Sequence, residues 1–490
     1  MNEVKHDSLY KNLSYQTIYQ ILSLIIPLIT TPYISRVLGQ EGIGIYSYTN
    51  SVVYFFVIFA NLGIVNYGNR EIAAVDRDKD KLSKTFWSIF LCHFFITIIC
   101  IFAYYLFVFE FVTEYKVAFI CQAFQLFGAL FDITWFFAGI QRFKVTVIKN
   151  LVIKIIMLLF TFLFVRNSGD VWIYILILSV GNLIGQLSIW IQLKKCVSIS
   201  KISIKEIFAH LKPLFLLFIP IIALSIYRYM DKIMIQHFSS INELGLYENA
   251  EKIMSIPQGV ITAIGLVLLP KITNLISHEK AEKAVTMANI SLKYSLILGF
   301  GMTFGLIAIS KTFAPIFLGD EFSSCSELIA LISPTIIFLT ISNTLRSNYL
   351  IPNKKDRVFI VAVFSGAIVN LVLNILLIPT YGAKGAVIAT IITELLVAII
   401  HIIFSYKTLK LGKLLGSSLI FLTPSIMMFA VVNELSKLCG QTILSLVLQI
   451  VVGALLYLLV TFMVLISSRD EAVLKLFSKR KDFSRGKYED

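Results

Sequence analysis

Arg228, Asp231 and Lys232 fall at i, i+3 and i+4 inside one apolar stretch, and Glu248, Glu251 and Lys252 repeat that spacing in the next. Residues three and four apart share a helix face, so each trio reads as one charged stripe. Arg36, Asp132, Lys154, Lys293, Arg346 and Glu394 stand in other apolar stretches. Arginine offers a bidentate fork to phosphate and lysine a point charge. A cavity lined by Arg36, Arg228, Lys293 and Arg346 therefore suits an anionic, partly polar cargo. The acids Asp132, Asp231, Glu248, Glu251 and Glu394 suit a coupling cation or plain charge balance. A blander reading pairs Arg228 with Asp231 and Glu248 with Lys252, and lets Arg36, Lys154, Arg166 and Lys293 reach an interface. Tyr46, Asn50 and Tyr54 lie at i, i+4 and i+8. Such a stripe can stack on and hydrogen-bond to sugars, or hold helices together.

Enzyme chemistry is thin. Asp76-Arg77-Asp78-Lys79-Asp80 contains an Asp-x-Asp that could hold a metal in a sugar-nucleotide transferase. With no soluble fold around it, it reads as a charged linker. The histidines His6, His93, His210, His237, His278 and His401 have no ligand spacing, and the six cysteines no paired spacing. No metal site, disulfide framework or cofactor is expected. A glycine loop carrying Lys and Ser/Thr is absent, so ATP is not the evident energy source. The chain reads as a transporter rather than an enzyme.

The elements that must hold these charges are membrane helices. Of 490 residues, 57% are hydrophobic and 15% charged, with mean hydropathy +0.83. Fourteen apolar segments lie near 13–36, 43–66, 85–108, 117–139, 150–166, 171–192, 213–236, 243–270, 286–309, 326–349, 358–378, 385–406, 414–433 and 442–467. About 20 apolar residues suffice for a helix to cross the hydrocarbon core, and only internally satisfied backbones can do so. The expected fold is all-α and polytopic. Counted by side, 31 Lys and Arg fall in one set of loops and four in the other. The positive-inside rule then puts both termini in the cytoplasm. The net charge of +14 lies in these short loops, which argues against a nucleic-acid partner. The N-terminal segment reads as a retained helix, not a signal peptide. Ile43-Gly44-Ile45-Tyr46 echoes Leu244-Gly245-Leu246-Tyr247 six segments later. The echo suggests a repeat: residues 1–200 as one lobe of spans 1–6, 201–407 as a second of spans 7–12, and 408–490 as two further helices and a basic tail. Repeated bundles with a site between them are a common transporter plan.

Three segments carry a resemblance. They are Pro32-Tyr33-Ile34-Ser35-Arg36-Val37-Leu38-Gly39 with Glu41, Gly42 and Gly44; Asn66-Tyr67-Gly68-Asn69-Arg70-Glu71-Ile72-Ala73; and Asp132-x-x-Trp135-Phe136-Phe137-x-Gly139-x-x-Arg142-Phe143. A fourth, Ile378-Pro379-x-Tyr381-Gly382-x-x-Gly385-Ala386, fits as well. Together they resemble the Wzx-type lipid-linked oligosaccharide flippases, of the superfamily that also holds multidrug exporters and the lipid II flippase. The resemblance implies a V of two six-helix lobes plus two helices, in a bacterial cytoplasmic membrane. It implies an undecaprenyl-pyrophosphate-linked oligosaccharide repeat unit as cargo, moved to the outer leaflet by alternating access for capsule, exopolysaccharide or O-antigen. A polysaccharide polymerase and glycosyltransferases would be its partners. Arg36, Arg228, Lys293 and Arg346 inherit a head-group role, and helices 13 and 14 a role in seating the polyprenyl tail. A cation-coupled drug exporter of the same superfamily is the nearest rival, and a membrane polymerase or ligase the second. The exporter more often has twelve spans and an acidic site; the polymerase needs a sizeable outer loop.

Overall fold

The structure, a computed structural model, describes residues 9–75, 78–468 and 470, with the side chains of 9–24 and Leu266 outside the description. Among the described residues every regular element is helical. In chain order these are α1 (Leu9–Asn61), α2 (Ile64–Ala74), α3 (Lys79–Glu110), α4 (Lys116–Leu130), α5 (Thr134–Gly139), α6 (Phe143–Phe164), α7 (Val171–Leu193), α8 (Ile204–Phe208) and α9 (Leu211–Phe238). There follow α10 (Ile241–Ser277), α11 (Ala281–Leu318), α12 (Cys325–Ile332), α13 (Thr335–Leu345), α14 (Asp356–Tyr381), α15 (Ala383–Leu409), α16 (Leu411–Ser418), α17 (Leu422–Cys439) and α18 (Ile443–Ser467). The exposed faces carry Ile, Leu, Val and Phe throughout, as lipid contact demands. The chain is a polytopic membrane protein.

Twelve helical stretches are long and apolar enough to cross a membrane, and the pair Cys325–Ile332 and Thr335–Leu350, bent by 42°, makes a thirteenth. The fourteen sequence segments differ from this at one place. Segments 13–36 and 43–66 run into one stretch, Ile25–Ala74. The helix between them is interrupted only at Gly39, where φ is 66° and ψ is −174°. A left-handed φ suits glycine, so a single residue does the work expected of a loop.

The contacts divide the chain into two compact units, residues 1–252 with 363–389, and residues 253–362 with 390–490. In the first, α1 packs on α3, α4, α6 and α9, and α4 and α6 pack on α7. An aromatic cluster closes one end. Phe86 stacks on Trp135 at 5.6 Å and meets Phe136 edge-on at 5.1 Å. The indole N–H of Trp135 donates to Asp132 O, and that of Trp190 to Phe131 O, at 3.1 and 2.9 Å. Both reach carbonyls freed where α4 ends. In the second unit α11 is the central element, against α12, α13, α17 and α18. Tyr457 of α18 donates to Ile297 O of α11 at 2.5 Å.

The sequence echo becomes a crossing of α1 and α10. A Cβ built on Gly44 would lie 2.0 Å from Ile241 O, and one on Gly245 would lie 2.1 Å from Gln40 O. Each glycine thus meets the backbone four residues before its counterpart. The contact is reciprocal, as a two-fold relation between repeated segments requires. Small residues at such crossings let membrane helices touch backbone to backbone. Gly44→Ala and Gly245→Ala should each cost about 1–3 kcal/mol through overpacking, and by similar amounts. Thermal unfolding in detergent checks this. Gly416→Ala is the control, because a Cβ there meets nothing within 4 Å.

Candidate functional site

A two-residue turn joins α9 to α10, so residues of the two charged trios face each other. Lys232 Nζ lies 2.7 Å from Glu248 Oε2 and 2.7 Å from Glu251 Oε2. Lys252 reaches Glu248 Oε1 at 3.3 Å, and Ser47 of α1 donates to Glu248 Oε2 at 2.6 Å. Glu248, only 6% exposed, is therefore held by two ammonium groups and a hydroxyl. A buried charge survives only when paired and hydrogen-bonded in this way.

Asp231 lies one helical position from Lys232 and is also buried. Tyr247 donates to it at 3.0 Å and Asn374 of α14 at 2.5 Å. Asn374 Nδ2 also donates to Asn370 Oδ1 at 3.1 Å. Four aromatic rings border the network. Lys252 Nζ stands 5.4 Å from the Tyr46 ring centroid, and Tyr46 meets Tyr174 edge-on at 5.1 Å. Lys232 Nζ lies 5.6 Å from the Tyr229 centroid. Tyr229 in turn stacks on Tyr54 at 3.9 Å, with 30° between the planes. Asn50 accepts from Gln125 at 3.0 Å. The stripe Tyr46, Asn50 and Tyr54 is thus engaged by its own protein along its whole length.

The first unit therefore gathers Asp231, Glu248, Glu251, Tyr46 and Tyr54 around Lys232 and Lys252. Glu248 and Lys252 pair as their spacing anticipates, while Lys232 supplies the stronger bridge across to α10. Three carboxylates face two ammonium groups, so the buried network is not cationic. Arg36 and Arg228 lie on the exposed surface of the same unit. Asp132 stands apart, in the break between α4 and α5. Its Oδ1 accepts from Thr134 N at 2.8 Å and Thr134 Oγ1 at 2.6 Å, which starts the next helical turn. Asp78 does the same for α3, accepting from Asp80 N and Lys81 N. Asp76 and Arg77, the rest of that Asp-x-Asp run, lie outside the described residues.

The second unit holds Lys293, Arg346 and Glu394. Lys293 Nζ contacts Asp470 Oδ2 at 2.5 Å, and Tyr294 donates to Asp470 Oδ1 at 2.9 Å. The Arg346 guanidinium lies over the Phe359 ring, 3.9 Å from its centroid. Glu394 is buried in α15 at 7% exposure. No group of three or more His, Cys, Asp and Glu is placed to hold a metal among the described residues.

Sequence reasoning passed over Ser47, Tyr247, Asn370 and Asn374. Asn370 and Asn374 stand at i and i+4 in an apolar span, which was a readable sign of a polar inner face. Ser47 follows the echoed Gly44 by three residues, and Tyr247 follows Gly245 by two.

Comparison with known proteins fits this architecture. Residues 9–276 match the model of the polysaccharide biosynthesis protein family, and the chain belongs to that family. A candidate O-antigen transporter of Shigella dysenteriae is 26% identical over 388 residues, covering 78% of this chain and 96% of its own. The fold is shared with the lipid II flippase MurJ in its inward closed conformation, with TM-score 0.72 and 17% identity over 92% of this chain and 98% of that one. A multidrug resistance MATE family transporter in an inward-facing conformation matches with TM-score 0.58 and 12% identity, over 80% and 99% of the two chains.

Glu248→Gln should be costly, because it leaves Lys232 and Lys252 short of a counter-charge in the interior. Removing one partner of a buried pair costs about 3–5 kcal/mol. The melting temperature and the membrane level of the variant measure this. Lys232→Met added to Glu248→Gln should recover part of the loss.

Proposed function

We propose that this protein is a flippase for lipid-linked polysaccharide precursors. It turns undecaprenyl-pyrophosphate-linked oligosaccharide repeat units from the cytoplasmic to the outer leaflet, for capsule, exopolysaccharide or O-antigen assembly. The observation that carries this is the family match joined to a fold shared with a lipid II flippase over nearly the whole chain. The transporter name of the Shigella relative supports it.

Charge is what such a cargo demands of the protein. A pyrophosphate in a low-dielectric passage needs cations that are not already neutralised. Arg228, exposed on the first unit, and Arg346, stacked on Phe359, are the groups we assign to it, and Arg36, exposed on the same unit as Arg228, joins them where the head group competes for it. Lys293 joins them only if the head group displaces Asp470. Asp231 with Asn374, and Glu248 with Glu251, are assigned to a coupling cation or to charge balance, as are Asp132 and Glu394. Tyr46, Asn50 and Tyr54 contact sugars only if the packing around them opens. Alternating access moves residues 1–200 against 201–407, with α17 and α18 seating the polyprenyl tail. The protein sits in the bacterial cytoplasmic membrane with both termini inside, near the polymerase and glycosyltransferases of its pathway.

The test is a strain lacking this protein. Lipid-linked repeat units should accumulate on the cytoplasmic leaflet while surface polymer disappears. Unchanged surface polymer with accumulation of cationic dyes would replace this reading by the drug exporter. In the complemented strain, Arg228→Ala should lower surface glycan several-fold at an unchanged membrane level, and Arg228→Lys should restore only part, because lysine lacks the bidentate fork.

A further inference from the structure

A seam of polar groups runs between α13, with its continuation, and α15. Residues 346–350 form a π-turn, a distortion that recurs at functional sites. Tyr349 in that turn donates its hydroxyl to Thr408 Oγ1 at 2.8 Å. Two turns away, the His401 ring lies close to the Ser342 backbone and to the Arg346 charge. Two contacts at the same separation of 59 residues mean that the helices run parallel and in register. Ser342 is then level with His401, and Arg346 with Ser405.

Three polar atoms on these two rungs have nothing to bind. Ser342 Oγ, Arg346 Nε and Ser405 Oγ are buried without a hydrogen-bond partner among the described residues, and the buried His401 ring has the Ser342 backbone as its neighbour. Ser342, His401 and Ser405 are 5%, 2% and 0% exposed. Native structures seldom leave such atoms unmatched, and each calls for an explanation. Here the unmatched atoms share a character. Arginine Nε–H can only donate, each serine hydroxyl can donate, and the neutral imidazole beside them donates from one nitrogen. Among the described residues no carboxylate is placed against Arg346 to answer its charge. Three unmatched donors and one full positive charge lie along two helices beside His401, and what they lack is an acceptor with negative charge.

The guanidinium is also held for that purpose. Its face rests on Phe359, whose ring stands 6.5 Å from that of His401 and is tilted by 30° to it. With its plane fixed, its edge is left to meet an oxyanion. We propose that Arg346, Ser342, His401 and Ser405 form a binding site for one phosphate group within the second unit. The inference rests on the flippase reading for a lipid source of that group. Inorganic phosphate carries the same chemistry and would bind the same residues.

The test uses the purified full-length chain in detergent. Its melting temperature is followed against inorganic phosphate at constant ionic strength, and separately against undecaprenyl pyrophosphate. Both ligands should raise it. Ser405→Ala, which changes one small buried group, should weaken the apparent affinity about tenfold through the lost hydrogen bond, and Arg346→Lys should weaken it further. A much lower working concentration for the lipid identifies the head group as the natural ligand. A response to inorganic phosphate alone identifies the free ion and leaves the site standing. No shift with either ligand, or a shift that survives in the Ser405→Ala/Arg346→Lys double variant, overturns the proposal. The strain lacking the protein reads the flippase assignment independently, so the two can fail separately.

Discussion

Burying charge in a helical membrane protein is possible only where opposite charges and hydroxyls converge, and Glu248 is where that requirement is met most fully here. Three helices contribute to it: α1 through Ser47, α9 through Lys232, and α10 through Glu248 and Lys252. The helices can converge so closely because α1 and α10 touch through glycine a few residues earlier. Backbone contact and charge pairing are thus two halves of one arrangement. Widening the crossing by one methyl group would draw Ser47 from Glu248, and removing Glu248 would take away what the crossing holds in place.

The fold was legible in the sequence for a simple reason. Apolar length and the absence of charge decide whether a helix spans, and both are local properties. Span positions therefore read directly, and the one merger, at Gly39, came from a break too short to look like a loop. The charge pairings were only half legible. Glu248 with Lys252 follows from helical spacing, but Lys232 with Glu248 depends on how α9 folds back on α10, which no spacing on a single helix reveals. The setting of Asp132 was hidden for a related reason. Its charge lies within an apolar segment, yet it serves a turn between two helices that hydropathy alone fuses into one.

The motifs that carry the family resemblance have a structural meaning of their own. A Cβ on Gly68 would lie 2.4 Å from the Trp135 ring, and one on Gly139 would lie 2.6 Å from Ile72. The second motif and the third are therefore two faces of one joint between α2 and α5. Their residues identify the family by how it packs. Apart from Asp132, the polar groups to which a transport role is assigned lie outside this joint, on α1, α9, α10, α11, α14 and α15 and in the turn after α13, where a single sequence offers spacing but no cargo.

The residue that answers Lys293 also sets a constraint for anyone handling this protein. Asp470 stands past the end of α18, where a tail is usually considered expendable. Its carboxylate is nonetheless the counter-ion of Lys293 and the acceptor for Tyr294, deep along α11. Shortening the C-terminus to the last helical residue would leave a half-buried ammonium without its partner. Fusion points and affinity tags belong beyond residue 470, so that the pairing of Asp470 with Lys293 and Tyr294 is kept.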